Sequence, residues 1–130
     1  ALKYLLKNKE KFNLNNAKII HGDIFHGFDS FKIPIPDLIL SNPPYINSDE
    51  VSTLQSEVLK EPVMALDGGT DGLDFYRCIA DKWLPYCKGA IAVECGENQH
   101  LEIAKLFSSL NVSFIKDFND VNRVVCGSIK

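Results

Sequence analysis

The sequence has little of several things that would define other classes of protein. Its four cysteines include no Cys-x-x-Cys pair, and its three histidines are scattered. We therefore predict buried, reduced thiols and no metal site. No apolar run approaches the roughly 20 residues that a membrane helix needs, and no signal-peptide pattern opens the chain. These absences predict a cytoplasmic protein without a metal or a membrane segment.

The chain has no excess of positive charge, because its 14 Lys and Arg residues are outnumbered by 17 Asp and Glu residues. Nucleic-acid-binding proteins usually concentrate positive charge to release counterions from phosphates. The balance disfavours nucleic acid as a partner, and a protein or small-molecule acceptor fits better. With 130 residues and 45% apolar composition, residues 1–130 fit one domain with a core of its own.

Hydrophobic periodicity predicts strands that alternate with helices. The predicted strands cover residues 17–21, 37–41, 90–95, 112–117 and 123–129, and the predicted helices cover residues 1–12, 73–84 and 98–110, with a weaker helix at 51–58. In the last helix, Leu101, Ala104 and Phe107 are expected to be buried. The alternation and the closing antiparallel pair predict an α/β sheet with helices on both faces. Such sheets bind ligands at the carboxyl ends of their strands.

The motif Asn42-Pro43-Pro44-Tyr45 directly follows one of these strands. Both prolines have a fixed φ and no N–H, so the Pro43 carbonyl and the flanking Asn42 are rigidly aimed. The Asn42 side-chain oxygen and the Pro43 carbonyl can each accept one N–H of a planar NH2 group, while Tyr45 stacks on its plane. Asn-Pro and Pro-Pro also mark ordinary strand-ending turns. The motif therefore predicts either a site for an amide or aryl amine, or a simple turn.

The chemistry that such a site suits is methyl transfer to nitrogen. An amide or aryl amine nitrogen is a poor nucleophile because its lone pair is delocalised. Holding it in line with an electrophilic methyl sulfonium lowers the entropic part of the barrier. Oriented acceptors also stabilise the positive charge that builds on nitrogen.

Further segments of the chain share a pattern with one known family. They are His21-Gly22-Asp23-Ile24-Phe25, Ser41-Asn42-Pro43-Pro44-Tyr45-Ile46, Glu61-Pro62, Ala65-Leu66-Asp67-Gly68-Gly69, Asp71-Gly72-Leu73-Asp74-Phe75-Tyr76-Arg77, Glu94-Cys95-Gly96 with Gln99, and Asn122-Arg123-Val124-Val125. Over nearly the whole chain, the sequence resembles the protein-glutamine N5-methyltransferases of the PrmC (HemK) type. That family modifies the Gly-Gly-Gln glutamine of class-1 peptide-chain release factors.

The resemblance implies a Rossmann-like fold that uses S-adenosyl-L-methionine, with strands in the order 3-2-1-4-5-7-6. The first two strands and the Gly-rich cofactor loop of the family have no counterpart in this chain, so it is expected to be a partial methyltransferase catalytic domain that binds cofactor weakly by itself. Asn42, Pro43 and Tyr45 would be catalytic and, with Pro44, would bind the acceptor glutamine. Asp23 and Ile24 would border the cofactor adenine, and Asn42 would also lie near its methionine moiety.

Residues 61–77 would form a wall beside the site, without a single catalytic role assigned to any of them. For Tyr76 and Trp83, core packing is the favoured interpretation. The implied partner is a class-1 release factor. Two alternatives stay open: an adenine-N6 DNA methyltransferase, in which the same four-residue motif occurs, and a non-catalytic remnant that keeps only the acceptor pocket. The Glu-Pro, Ala-Leu-Asp-Gly-Gly and Asp-Gly-Leu segments favour the glutamine enzymes.

Overall fold

The computed structural model describes residues 2–56 and 58–130, and one mixed sheet organises them. Its strands are β1 (Leu38–Ser41), β2 (Ala90–Glu94), β3 (Asn111–Lys116) and β4 (Asn122–Ser128), in the spatial order β1-β2-β4-β3. β1 is parallel to β2, and β4 is antiparallel to both β2 and β3. Consequently β1, β2 and β3 all end at the same edge of the sheet, where ligands bind in folds of this kind.

The helices are α1 (Leu2–Lys11), α2 (Ser48–Val51), α3 (Asp74–Lys82) and α4 (His100–Leu106). Shorter 3-10 turns cover Ile24–His26, Phe28–Ser30, Val58–Lys60, Val63–Ala65 and Leu84–Tyr86. These bounds confirm the predicted first helix, α3, the closing hairpin and the strands at 37–41 and 90–95. Two of the predicted ranges include Ala1 or Glu57, which lie outside the described residues.

The core lies between the sheet and the helices α3 and α4. Ile91 and Val93 of β2 meet Tyr76 and Ile79 of α3 there, and α4 adds Ile103. Leu38 and Leu40, on the opposite face, are 53% and 70% exposed. The prediction of helices on both faces is therefore not met in the part of the chain that the structure describes. α1 contains no buried residue.

Three local predictions were wrong. Residues 17–21 form no strand, because a strand needs a hydrogen-bonded neighbour and β1 pairs with β2 alone. The weak helix lies earlier than predicted, at Ser48–Val51. α4 is shorter than predicted, and Leu101 is 57% exposed, because Ile103 faces the core in its place. Phe107 is fully buried, as predicted, and Ala104 is half-buried.

The cysteines and the aromatic residues largely follow the predictions. Cys78, Cys87 and Cys95 are buried, Cys126 is half-buried, and all four are free thiols. Tyr76 is fully buried, which confirms its packing role. Within residues 2–56 and 58–130, no group of three or more His, Cys, Asp or Glu side chains could hold a metal ion. None of the described helices is long and apolar enough to cross a membrane.

Candidate functional site

Residues 42–46, which we call the site loop, leave β1 at the edge where β1, β2 and β3 end. The loop lines an open cleft of about 560 Å³ together with Leu54, Val58, Glu61, Ala65 and Leu66. Asn42 is exposed, Pro43 is buried, and Tyr45 is half-buried against the core. The structure therefore gathers the four residues of the Asn-Pro-Pro-Tyr motif around one cleft. It also places part of the 61–77 segment as the facing wall, where the sequence predicted it.

The second half of the site loop is fastened by hydrogen bonds, which we call the clamp. The Ile46 N–H donates to the Leu66 carbonyl at 3.0 Å, and the Gly68 N–H donates to the Ile46 carbonyl at 2.8 Å. The side-chain amide of Gln99 donates to the Tyr45 carbonyl at 2.9 Å. The backbone on both sides of the Tyr45–Ile46 peptide bond is thereby held by groups from two other segments.

Glycines let the clamp approach closely. A Cβ atom on Gly68 would lie 2.8 Å from both the Pro44 carbonyl oxygen and the Tyr45 Cα. Gly72 has a φ of +72°, and a Cβ atom there would collide with the Tyr45 carbonyl oxygen and with the Gln99 amide. Since the neighbouring atoms are mostly backbone, a side chain at either position would displace the site loop.

The first half of the site loop is open by contrast. No described residue donates a hydrogen bond to the Asn42 side chain or to the Pro43 carbonyl. Neither proline has an N–H that could compete for these acceptors. The loop thus combines a fixed backbone at residues 45 and 46 with two unused acceptors at residues 42 and 43. That combination can hold an NH2 group without moving.

The Tyr45 hydroxyl cannot act as a base at neutral pH. Burial raises the pKa of Tyr45, and the nearby Glu94 carboxylate raises it further. The neighbouring Tyr76 hydroxyl donates to the Glu94 backbone carbonyl at 2.7 Å. Tyr45 therefore stays neutral and offers its ring and a protonated hydroxyl.

The wall segment is tied to the chain just beyond the site loop. Ser48 donates to an Asp67 carboxylate oxygen at 2.7 Å, and the Gly69 N–H donates to the same oxygen at 2.9 Å. These hydrogen bonds, chiefly that from Ser48, hold the pKa of Asp67 below its ordinary value. Further along, the Arg77 guanidinium forms salt bridges with Asp71 and Asp74. The wall and the loop consequently form one hydrogen-bonded unit.

Asp23 and Ile24 lie at a second, larger cavity of about 940 Å³. This cavity is also lined by His21, Gly22, Phe25, Val63, Met64, Asp67 and Phe75. Asn42 does not line it, so the structure brings Asp23 and Ile24 together but leaves Asn42 in the neighbouring cleft. Asp67 lines one cavity and Leu66 the other, so the wall segment separates the two.

Ile24 is attached to α3 and to the residue that follows it. Its carbonyl accepts hydrogen bonds from the Trp83 indole at 2.9 Å and from the Cys78 thiol at 3.4 Å. Trp83 also packs against Phe28 and Phe31, which supports its predicted packing role. Asp23 uses one carboxylate oxygen to cap the turn at Phe25. No described residue donates a hydrogen bond to its other oxygen.

Gln99 is the residue whose part in this site the sequence did not predict. It was noticed only as one letter of a family pattern, without a role. The bond between Gln99 and Tyr45 joins residues 54 positions apart, so no local sequence rule could have found it. The signal available in the sequence was that Gln99 follows β2 and the Asn-Pro-Pro-Tyr motif follows β1, two neighbouring parallel strands that end at the same edge of the sheet.

Comparison with known proteins adds to this geometry, although no family model matches the chain. A release factor glutamine methyltransferase of Thermodesulfovibrio yellowstonii is 39% identical over 131 residues, covering 96% of this chain and 46% of the relative. A ribosomal protein uL3 glutamine methyltransferase of Neisseria meningitidis is 42% identical over 96 residues, covering 71% and 30%.

One solved structure is also similar. It is the release factor-specific protein-(glutamine-N5) methyltransferase of Alicyclobacillus acidocaldarius, with 30% identity and a TM-score of 0.46. The match covers 73% of this chain and 50% of that one.

The sheet order β1-β2-β4-β3 corresponds to the last four strands of the order 3-2-1-4-5-7-6, so the fold is that of a Rossmann-like methyltransferase. The chain belongs to the protein glutamine methyltransferase family. It spans less than half the length of the curated relatives described above.

Proposed function

We propose that the protein containing this chain transfers a methyl group from S-adenosyl-L-methionine to the side-chain amide nitrogen of a protein glutamine. In this proposal, residues 1–130 are part of the catalytic domain and contribute the acceptor pocket. The observation that carries the proposal is the site loop, whose fixed backbone presents two unused acceptors at Asn42 and Pro43. The names of the relatives support glutamine as the acceptor.

Each residue of the motif has a distinct part in the proposed reaction. The Asn42 side-chain oxygen and the Pro43 carbonyl each accept one N–H of the glutamine amide. Pro44 limits the conformation of Pro43, and the Tyr45 ring covers the amide plane. With both hydrogens held, the nitrogen can meet the methyl group only along one direction. The same two oxygens then stabilise the positive charge that grows on nitrogen, so no ionised base is needed beforehand. As the N–CH3 bond replaces the S–CH3 bond of the donor, one N–H proton passes to water and leaves the neutral methylated amide.

The residues at the second cavity fit one end of the methyl donor. Adenine needs apolar surfaces for its ring faces and an acceptor for its amino group. Ile24, Phe25 and Phe75 offer the first, and the free carboxylate oxygen of Asp23 offers the second. We propose Asp23 and Ile24 as adenine contacts and Asn42, which lines the other cleft, as a contact to the methionine moiety at the opposite end of the donor. When bound, the donor supplies an electrophilic methyl group.

The proposed acceptor is the Gly-Gly-Gln glutamine of class-1 release factors. The curated relative from Thermodesulfovibrio yellowstonii is named a release factor glutamine methyltransferase, which supports a release factor as the acceptor. A second candidate acceptor is a glutamine of ribosomal protein uL3, because the relative from Neisseria meningitidis is named for it. Either acceptor belongs to the translation apparatus, so the proposal places the reaction in the cytoplasm.

Mass spectrometry after incubation with S-adenosyl-L-methionine tests the proposal. The protein, expressed from its complete gene, would be offered a class-1 release factor or ribosomal protein uL3 in separate reactions. One added methyl on the Gly-Gly-Gln glutamine is the expected result. Preferential methylation of uL3 would identify uL3 as the acceptor and would still support glutamine methylation. Methylation of an adenine in DNA, with neither protein modified, would replace the proposed function. Failure to bind the donor would identify a non-catalytic remnant.

A further inference from the structure

Gln99 lies between β2 and α4 and uses both ends of its side-chain amide. Its Nε2 donates to the Tyr45 carbonyl at 2.9 Å, and its Oε1 accepts from the Gly96 N–H at 2.9 Å. The side chain is half-buried, so water competes only weakly for these bonds. Gln99 therefore connects the end of β2 to the loop that follows β1.

The contact falls at a sensitive point of the site loop. The Tyr45 carbonyl is two peptide units beyond the Pro43 carbonyl, and the residues between them include a proline of fixed φ. No other described residue donates to the Tyr45 carbonyl. Gly72 leaves the space in which the Gln99 amide reaches it. Without the Gln99 hydrogen bond the Tyr45 carbonyl would have no partner among the described residues, and the backbone from Pro43 to Tyr45 would lose its tether to β2.

We propose that Gln99 is a positioning residue for methyl transfer, acting through the Tyr45 carbonyl to orient the acceptors at Pro43 and Asn42. This inference rests on the proposed function. Gln99 lines neither of the two cavities, so its effect on the reaction is transmitted through the loop backbone. Alignment of the nitrogen contributes to the barrier, and a misplacement of about 1 Å can cost on the order of 100-fold.

Gln99→Glu distinguishes the hydrogen bond that the side chain accepts from the one that it donates. A carboxylate still accepts from the Gly96 N–H, but it has no N–H for the Tyr45 carbonyl and repels that oxygen instead. In the complete protein we expect Gln99→Glu and Gln99→Ala each to lower kcat by about tenfold or more. The KM for the acceptor protein should change less than about threefold, because a protein acceptor makes most of its contacts elsewhere. The Kd for S-adenosyl-L-methionine should stay within about twofold.

Glu102→Ala is the matched control, since Glu102 lies on α4 near Gln99 but, among the described residues, pairs only with Lys105 at the surface. It should leave kcat unchanged. The inference is overturned if Gln99→Glu keeps more than about half of the wild-type kcat. It is also overturned if kcat, donor affinity and the unfolding midpoint fall in parallel, because that pattern defines a merely structural residue.

Hydrogen exchange measured by mass spectrometry gives a readout that is independent of turnover. Gln99→Ala should speed exchange in peptides that contain Ile46 and in those that contain Gly96, whereas Gln99→Glu should speed it at Ile46 alone. If the wild-type protein methylates no glutamine, the proposed function fails, and the exchange pattern still decides the role of Gln99. Unchanged exchange at Ile46 in both variants would refute the clamp through Gln99.

Discussion

The site loop and residues 2–36, which we call the leading segment, contain similar proportions of apolar side chains but are held in different ways. The site loop is fixed by backbone and side-chain hydrogen bonds from Leu66, Gly68 and Gln99. The leading segment has an amphipathic helix, α1, that contains no buried residue, and its predicted strand is not formed. Leu5 and Leu6 of α1 are each 52% exposed.

This contrast shows that an apolar pattern needs a partner surface before it becomes packed structure. The family order 3-2-1-4-5-7-6 puts the strand corresponding to residues 17–21 beside the second strand, away from the one that corresponds to β1. Residues 17–21 therefore have no hydrogen-bonding partner strand in β1. The site loop, by comparison, takes its hydrogen-bond partners among the described residues from Leu66, Gly68 and Gln99. The site loop is consequently a part of the site that this chain fixes by its own contacts.

Leucine-to-alanine substitutions beside the site loop and in the leading segment should differ strongly in their effect on stability. Leu66→Ala removes a side chain that is 9% exposed and should lower the free energy of unfolding by about 2–4 kcal/mol. Leu5→Ala should change it by less than about 0.5 kcal/mol, since Leu5 makes little buried contact. Urea unfolding followed by circular dichroism measures both. Equal losses would mean that α1 is packed, and the contrast between the two regions would disappear.

Substitution of Asn42 tests the proposed role of the unpaired hydrogen-bond acceptors in the site loop. Asn42→Ala deletes one proposed N–H acceptor and should lower turnover at least tens-fold in the complete protein. Because Asn42 is exposed and outside the clamp, the unfolding midpoint should barely move. Methyl incorporation into the acceptor glutamine is the measurement. Near-normal turnover would count against the proposed mechanism.

Variants of Tyr45 distinguish stacking from hydroxyl chemistry at the same loop. Tyr45→Phe keeps the ring and should keep most activity, whereas Tyr45→Ala should raise the KM for the acceptor. A hydroxyl role would be indicated if the two variants lost activity equally.

A pair of glycines with positive φ compares the clamp with the leading segment directly. Gly72→Ala meets both backbone strain and a collision with the Tyr45 carbonyl, so we expect a loss of about 1–3 kcal/mol in unfolding free energy. Gly27 has a φ of +78° and a ψ of 168°, a backbone region that also favours glycine, but a Cβ atom there would meet only the Lys82 side chain, at 3.2 Å. Gly27→Ala therefore adds backbone strain without a collision with backbone atoms, and we expect it to cost less than Gly72→Ala. Thermal unfolding of both variants checks the order, and a reversed order would contradict the clamp.

The smallest expected effect is on the stability of the fold at acidic pH. The hydrogen-bonded Arg77 guanidinium lowers the pKa of Asp71 to about 2 from 3.8. A carboxylate whose pKa is lower in the folded protein stabilises the fold above pH 4, and that contribution is lost as the pH falls toward 2. Both side chains are about half exposed, so the contribution is small.

Arg77→Met gives the comparison for this effect. The difference in unfolding midpoint between the wild-type protein and Arg77→Met should shrink between pH 4 and pH 2. Every salt bridge among the described residues lies within residues 71–123, so the leading segment should not contribute to it. A constant difference over this pH range would show that Asp71 gains nothing from the pair.

Much of the sheet was predictable because its strands are short apolar runs ended by proline or glycine. Residues 37–41 stop at Pro43, and residues 90–95 stop at Gly96. The position of the Asn-Pro-Pro-Tyr motif at a strand end was predictable for the same reason, because its prolines end the strand. Leu101 was predicted wrongly because, at about 100° per residue, it lies nearly opposite the side of α4 that Ile103 and Phe107 bury.

The contacts that fix the site loop were not predictable in the same way. Gly68, Gly72 and Gln99 meet the loop from positions far along the chain, and their residue types are also common in ordinary turns and helix starts. Similarly, nothing in residues 17–21 reveals whether a neighbouring strand is present. Local pattern specifies which segments can pair, and the fold decides which of them do.

The isolated parallel bridge between Ile46 and Asp67 has a consequence for how such a protein could change its acceptor. The bridge closes the chain between these residues into a loop whose two ends are fixed side by side. The entropic cost of lengthening a closed loop rises only with the logarithm of its length. Insertions or deletions between residues 49 and 60 could therefore reshape the rim of the cleft while Asn42 and Pro43 stay in place, so the rim can diverge independently of the chemistry.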